Sequence, residues 1–326
     1  MNEMHKASRL QGTKRSIANT CDLCGSTEAM LLAEPTSKNS RIAMCLQCGV
    51  FAAAPPVSET ELDGFYEGKF GPRVIDGDDL PSENKIHKEE KLAKAWGANI
   101  IRRFMDPAGK KILDLRCLSG ALAAGLRDEG AEVVGVDPFT DLVNYARDVR
   151  KLPEIHLVSF TELPRFVSGR GEGEFDAVVM LSHHVLSHTL SPRRLLESVY
   201  RALKPEGYLF LHEKNVLRPV AYKSTSVFST GLAHQFHLTL QTLARYVEAT
   251  GFEVKECVLD EGRKGDFRLM RAVATKPAIA KAHVPARADT SEILSQLKWL
   301  ERTWRFRRVG VDLQHRAIRL YSSLRA

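Results

Sequence analysis

Four cysteines, one strand-turn-helix-strand unit ending in an acid, and two groups of histidines are the parts of this sequence equipped for chemistry. Cys21, Cys24, Cys45 and Cys48 form two Cys-x2-Cys pairs with twenty residues between them. That spacing suits one tetrahedral metal held by four thiolates, and Gly25 and Gly49, which follow the pairs, permit the tight turn of each knuckle. Four sulfurs leave no open position for water, so the reading is a structural zinc rather than a catalytic one. Four ordinary buried thiols are the bland alternative, and the paired spacing speaks against it.

The second feature is the run Lys110-Lys111-Ile112-Leu113-Asp114-Leu115-Arg116-Cys117-Leu118-Ser119-Gly120-Ala121-Leu122, a buried-strand pattern that breaks into a turn and reopens as a helix. Seventeen residues beyond Gly120 the run Val133-Val134-Gly135-Val136-Asp137 ends in a carboxylate. Strand, turn, helix and acid-ended strand make the first unit of a nucleotide-type site, with the acid placed to accept hydrogen bonds from a ribose diol.

The elements that must position these groups alternate. Helical patterns at Leu142–Val149, Pro192–Leu203 and Leu240–Thr250 interleave with apolar runs at Ile155–Val158, Phe175–Leu181, Gly207–His212, Phe252–Leu259 and Phe267–Ala274. Such alternation predicts a mostly parallel sheet with helices on both faces, and the last two runs pair as an antiparallel hairpin at its edge. Ser58 caps a helix start, Gly64–Ser82 reads as a loop near the site, and Ile86–Met105 reads as an amphipathic helix leading into the first strand.

At 326 residues and 44% hydrophobic content the chain can bury a full core. It shows no secretory signal and no apolar run of membrane-spanning length, so it reads as cytoplasmic. The net charge is +7, yet residues 291–326 alone carry eight basic and three acidic residues. Basic excess confined to a tail argues against nucleic acid as the partner of the main domain. In that tail Ile293, Leu297, Leu300 and Trp304 fall on one helical face, which predicts docking on this protein, a protein partner, a second subunit or a membrane surface.

In order and spacing these stretches resemble the class I S-adenosylmethionine-dependent methyltransferases, in particular the bacterial type with an amino-terminal zinc-ribbon module that acts on sugars or small molecules. The resemblance covers roughly Cys21 to Lys276. It rests on the cysteine pairs, the Asp114 turn, Val134-Gly135-Val136-Asp137-Pro138, Phe175-Asp176-Ala177-Val178-Val179, Val185-Leu186-Ser187-His188, Ala202-Leu203-Lys204-Pro205-Glu206-Gly207 and Gly251-Phe252-Glu253-Val254.

The resemblance implies a Rossmann-like seven-stranded, mostly parallel sheet with helices on both faces, flanked by a zinc ribbon and a helical tail. The boundaries are an unstructured arm 1–19, a ribbon 20–57, a helical lid region 58–108, the methyltransferase domain 109–276, a linker 277–290 and the tail 291–326. It further implies that Asp114, Arg116 and Gly120 hold the methionine part of the cofactor and that Asp137 takes the ribose. Pro138 and Phe139 would flank the adenosine, Ser159 and Phe160 its adenine edge, and Ser182, His183 and His184 would face the methyl group and the acceptor. His184, His183 and His237 are the candidate general bases, because an imidazole titrates near neutral pH; His188 reads as structural. Phe65 and Tyr66 read as a lid or as simple packing, and Glu213 as an acceptor ligand or a surface acid. The acceptor expected is small or carbohydrate-like, methylated on oxygen or carbon.

One departure stands out. Relatives of this type have Asp-x-Gly-x-Gly-x-Gly in the turn, and here Arg116 and Leu118 replace the first two glycines. A guanidinium there pairs with the methionine carboxylate or blocks the pocket. A non-catalytic scaffold that keeps only the fold, and an RNA methyltransferase, are the competing readings.

Overall fold

The computed structural model describes residues 13–16, 20–32, 41–66, 83–181, 184–217, 234–262, 266–279, 290–300, 302–303 and 306. The strands are β1 (Thr13–Ser16), β2 (Glu28–Leu31), β3 (Arg41–Cys45), β4 (Phe51–Ala54), β5 (Lys111–Leu115), β6 (Glu132–Asp137) and β7 (Ile155–Leu157). They continue as β8 (Phe175–Met180), β9 (Leu203–Lys214), β10 (Phe236–His237), β11 (Glu253–Gly262) and β12 (Asp266–Thr275).

Seven strands form one sheet in the order β11-β12-β9-β8-β5-β6-β7. The pairs from β9 through β7 are parallel, while β12 runs antiparallel to both β9 and β11. The chain steps outward from β5 through β6 to β7, then returns to place β8 and β9 on the other side of β5. That reversal opens a crevice beyond the carboxyl ends of β5, β6 and β8, the place where open sheets of this kind bind ligands. The central strands are mostly apolar, as a sheet covered on both faces requires: Ile112, Leu113 and Leu115 are fully buried, as are Ala177, Val178, Val179 and Met180.

The second sheet, β1-β2-β3-β4-β10, is antiparallel and carries the cysteines. Two features differ from the sequence reading. Residues 13–16, within the expected unstructured arm, pair with β2. Phe236 and His237, which the sequence reading assigned to no strand, form β10 and pair with Ala52 and Phe51 of β4. The ribbon is therefore not a separate appendage. Leu23, Cys45, Cys48 and Val50 share one core with Leu113, Val178 and Tyr246.

The helix expected over Ile86–Met105 runs Glu83–Asn99 and is followed by a separate short turn, Ile101–Arg103. Ser58 caps the helix Glu59–Phe65 through a complete capping box with Glu61. The tail forms a helix over residues 290–300, whose Ile293, Leu297 and Leu300 pack on Leu32, Ile42, Met44 and Phe51 of the ribbon. Residues 67–82, most of the expected loop, lie outside the described residues.

Candidate functional site

In the turn after β5 two residues with side chains adopt backbone conformations suited to glycine. Arg116 and Leu118 have φ of 77° and 55°, in the left-handed region where a side chain is strained by roughly 1–2 kcal/mol. Backbone hydrogen bonds hold them there: the amides of Arg116 and Cys117 donate to the Val136 carbonyl at 3.0 and 2.9 Å, and the Leu118 amide donates to Asp137 Oδ2 at 2.9 Å. Gly120 is the glycine the fold does need. Its φ is +78°, and a Cβ there would stand 2.7 Å from Leu152 Cδ1 and 2.9 Å from Ala146 Cβ.

Three acids converge on this turn. Asp114 at the end of β5 is fully buried, and neither carboxylate oxygen has a hydrogen-bond partner among the described residues. Burial pushes its pKa up to about 8, with the nearby charges of Asp137 and Glu89 adding to the effect. Glu89, from the helix Glu83–Asn99, accepts from the Ser119 amide at 3.0 Å and from the Ser119 hydroxyl at 2.9 Å. Burial raises its carboxyl to about 7. Nothing in the sequence flags Glu89, because it lies thirty positions from its partner.

Asp137 is engaged from within. Its Oδ1 accepts from the Phe139 amide at 3.0 Å, and its Oδ2 pairs with Arg116 Nη1 as well as with Leu118. The Arg116 guanidinium is buried, its Cζ 4.8 Å from the centre of the Phe139 ring and 5.7 Å from that of Phe160. Burial raises the Asp137 pKa, against the opposing pull of Arg116. Tyr66 closes the same pocket, its ring centre 4.8 Å from Phe160 and 6.2 Å from Phe139. Ser159 caps its own turn with Glu162, and the adjacent Thr161 hydroxyl donates to Asp63. Asp63 lies on the helix Glu59–Phe65, so this bond ties the amino-terminal helix over the pocket.

Of the residues expected to face the acceptor, Ser182 and His183 lie outside the described residues. His184 caps the short helix Val185–His188 in a left-handed conformation with φ of 54°. His188 hydrogen-bonds the Tyr66 hydroxyl through Nδ1 and stacks 5.2 Å from Phe160. His234 lies 4.4 Å from His188 and 6.1 Å from His237, centre to centre. Tyr66, His188, His234 and His237 thus form a continuous run of rings from the aromatic pocket to β10. The sequence reading had His188 as structural and did not single out His234. Burial depresses His237 to about 3, so it is neutral at neutral pH. Glu213 is neither a surface acid nor open to an acceptor: it is fully buried and accepts from the Leu186 amide at 2.7 Å and the Ser187 hydroxyl at 2.7 Å.

The four cysteine sulfurs lie within 4.8 Å of one another, with Cys21 to Cys48 at 3.4 Å and Cys24 to Cys45 at 3.6 Å. A tetrahedral zinc with bonds of about 2.3 Å needs sulfurs about 3.8 Å apart, so the cluster suits such an ion. Both knuckles are built alike. Gly25 and Gly49 donate to the carbonyls of Cys21 and Cys45 at 2.8 and 3.0 Å, with φ of 74° and 78°.

The adenosyl cofactor implied by the sequence fits this crevice at one end. The two buried Asp114 oxygens, without hydrogen-bond partners among the described residues, suit a ligand that carries an ammonium and a sulfonium. At the ribose end the fit requires a change, because Arg116 occupies both the carboxylate of Asp137 and the space between Phe139 and Phe160.

Comparison with known proteins places the site in a family. Residues 88–256, just over half of the chain, match the family model described as a methyltransferase domain. A ubiquinone biosynthesis O-methyltransferase of Dechloromonas aromatica is 30% identical over 162 residues, covering 48% of this chain and 63% of that protein. One of the same name from Pseudomonas aeruginosa is 31% identical over 116 residues, covering 35% and 48%. The chain thus spans less than two thirds of the length of these relatives. Among solved structures, Burkholderia thailandensis 1,6-didemethyltoxoflavin-N1-methyltransferase superposes with a TM-score of 0.50 at 16% identity, over 75% of this chain and 98% of that one.

Proposed function

Since the chain belongs to the methyltransferase domain family, we propose that it moves a methyl group from S-adenosylmethionine to an oxygen or carbon of a small or carbohydrate-like acceptor. The observation that carries this reading is Asp114: a fully buried carboxylate without a hydrogen-bond partner among the described residues, at the switch point of the sheet, beside the acid-ended strand β6. The cofactor supplies an electrophilic methyl on a sulfonium, and the protein's task is to align an acceptor with it and manage a proton.

Asp114 and Gly120 hold the methionine end and Asp137 the ribose, with Phe139 and Phe160 beside the adenosine. A buried carboxylate with a pKa of about 8 is ionised readily only when a cation sits beside it, which couples its charge to cofactor binding. Histidine assistance draws its support from the run Tyr66, His188, His234 and His237. His237, neutral and buried, is suited to accept a hydrogen bond or a proton from an acceptor hydroxyl, while His188 is oriented by Tyr66. His184, at the start of the short helix that follows β8, is the other candidate. The relatives named for ubiquinone biosynthesis favour an O-methyl acceptor. In the ribbon, Cys21, Cys24, Cys45 and Cys48 hold one structural zinc.

Calorimetric titration with S-adenosylhomocysteine, followed by methyl incorporation from labelled cofactor into phenolic and sugar acceptors, tests the reading. Saturable binding that is lost in Asp137→Ala supports it. Absence of binding at millimolar ligand to the folded chain refutes it and favours the second reading, a non-catalytic scaffold, toward which the buried Arg116–Asp137 pair points.

A further inference from the structure

We propose that Arg116 is an internal occupant of the adenosine seat, a planar cation that a nucleoside must displace before the site can be filled. The proposal rests on the cofactor reading above. It goes beyond that reading by assigning Arg116 a role opposite to ligand contact.

Three observations carry it. First, the guanidinium sits where the strand-end geometry puts a nucleoside: it pairs with Asp137, the acid at the end of β6, and lies against the rings of Phe139 and Phe160. A flat cation stacked on aromatic faces and hydrogen-bonded to a carboxylate reproduces the contacts that an adenine ring and a ribose hydroxyl would make there. Second, the place is closed as well as filled. Arg116 is only 6% exposed, and Tyr66 covers the same two rings. Third, the occupant is seated at a cost, on a strained backbone that its contacts hold in place. Its backbone lies at φ of 77°, a conformation suited to glycine, so the side chain has been accommodated against the preference of the turn.

The guanidinium also leaves Asp114 unserved. Arg116 Nε is itself buried and without a hydrogen-bond partner among the described residues, as are both Asp114 oxygens. A side chain in its final place would satisfy more of these groups. Swinging the guanidinium away from Asp137 would free the carboxylate for a diol and open the space between the rings.

Ligand affinity is then reduced in proportion to the fraction of molecules in which Arg116 is out of the seat, so the smaller that fraction the weaker the binding. The test is calorimetric titration of S-adenosylhomocysteine, and separately of adenosine, into the wild-type chain, Arg116→Gly and Arg116→Gln. Circular dichroism and thermal melting check that each variant is folded. Glycine suits the turn, so Arg116→Gly should fold; Arg116→Gln keeps most of the bulk without the charge and serves if it does not. The expected result is binding at least tenfold tighter in Arg116→Gly than in the wild type for both ligands. That gain should be abolished by adding Asp137→Ala. Binding by the variant alone supports the plug and overturns the catalytic reading of the wild-type chain. Equal or weaker binding by the variants overturns the plug and leaves the cofactor reading standing. No binding by any folded form overturns both.

Discussion

At the scale of single residues, the site is governed by carboxylates moved away from water. Asp114 has a folded pKa of about 8 against an ordinary 3.8, so the folded chain holds a proton there that the unfolded chain has released. Its contribution to stability is therefore full at low pH and is lost as pH rises from about 4 through 8, by up to about 1.4 kcal/mol per pH unit. His237 works in the other direction. With a folded pKa of about 3 against 6.5, it costs stability as pH falls from about 6.5 toward 3. The temperature of thermal melting should thus decline between about pH 6.5 and 8 in the cofactor-free protein, where Asp114 loses its stabilising proton and His237 no longer offsets the loss. Asp114→Asn should flatten that decline, and an unchanged slope would show that another group is responsible. Gly120 makes a second prediction. Gly120→Ala forces a side chain at φ +78° into Leu152 and Ala146, and should lower stability by about 1–3 kcal/mol in urea unfolding. A neutral result would mean that the helix Ala121–Asp128 can shift.

At the scale of elements, the ribbon holds the strand that carries His237. Strand β10 hydrogen-bonds to β4, and β4 follows directly on the knuckle of Cys45 and Cys48. Arg245 Nη1 donates to the Cys48 carbonyl at 3.0 Å, Arg193 Nη1 donates to the Leu23 carbonyl at 3.1 Å, and Asp22 accepts from the Ser191 hydroxyl and the Arg193 amide. The cysteine cluster is therefore coupled through a short path to His237. Cys45→Ser, or removal of metal by a chelator under reducing conditions, should release amide protection at residues 51–54 and 236–237 together, read by hydrogen exchange. The wild-type protein should release about one equivalent of zinc to a thiol reagent, as four clustered sulfurs require. Protection that survives loss of the metal would uncouple the ribbon from the strand that carries His237.

At the scale of the whole molecule, the amino- and carboxy-terminal parts stabilise each other. The helix at residues 290–300 lays Ile293, Leu297 and Leu300 against the ribbon sheet, which leaves Trp299 and Phe306 exposed on the outside. The first docking partner of the tail is thus this chain itself, and the apolar stripe read as an interaction face is in use. Leu297→Ala removes a side chain that is 1% exposed and should cost about 2–5 kcal/mol, seen first as faster proteolysis of the tail. Unchanged proteolysis would place the docking energy elsewhere. No helix among the described residues is long and apolar enough to cross a membrane.

The sequence by itself determined the alternating sheet, the two cysteine knuckles, the Ser58 cap and the acids that end β5 and β6. Each of these is written in residues a few positions apart: a run of apolar side chains, a glycine after a cysteine pair, a serine three residues before a glutamate. Tertiary structure alone decided where Arg116 points, because its partners come from the next strand and from loops beyond it. Tyr66 and His188 are 122 positions apart, and Arg245 and Cys48 are 197 apart. No local pattern encodes such pairs. They follow from how two sheets and a tail helix pack into one core, and that packing turned a glycine-poor turn into a filled pocket.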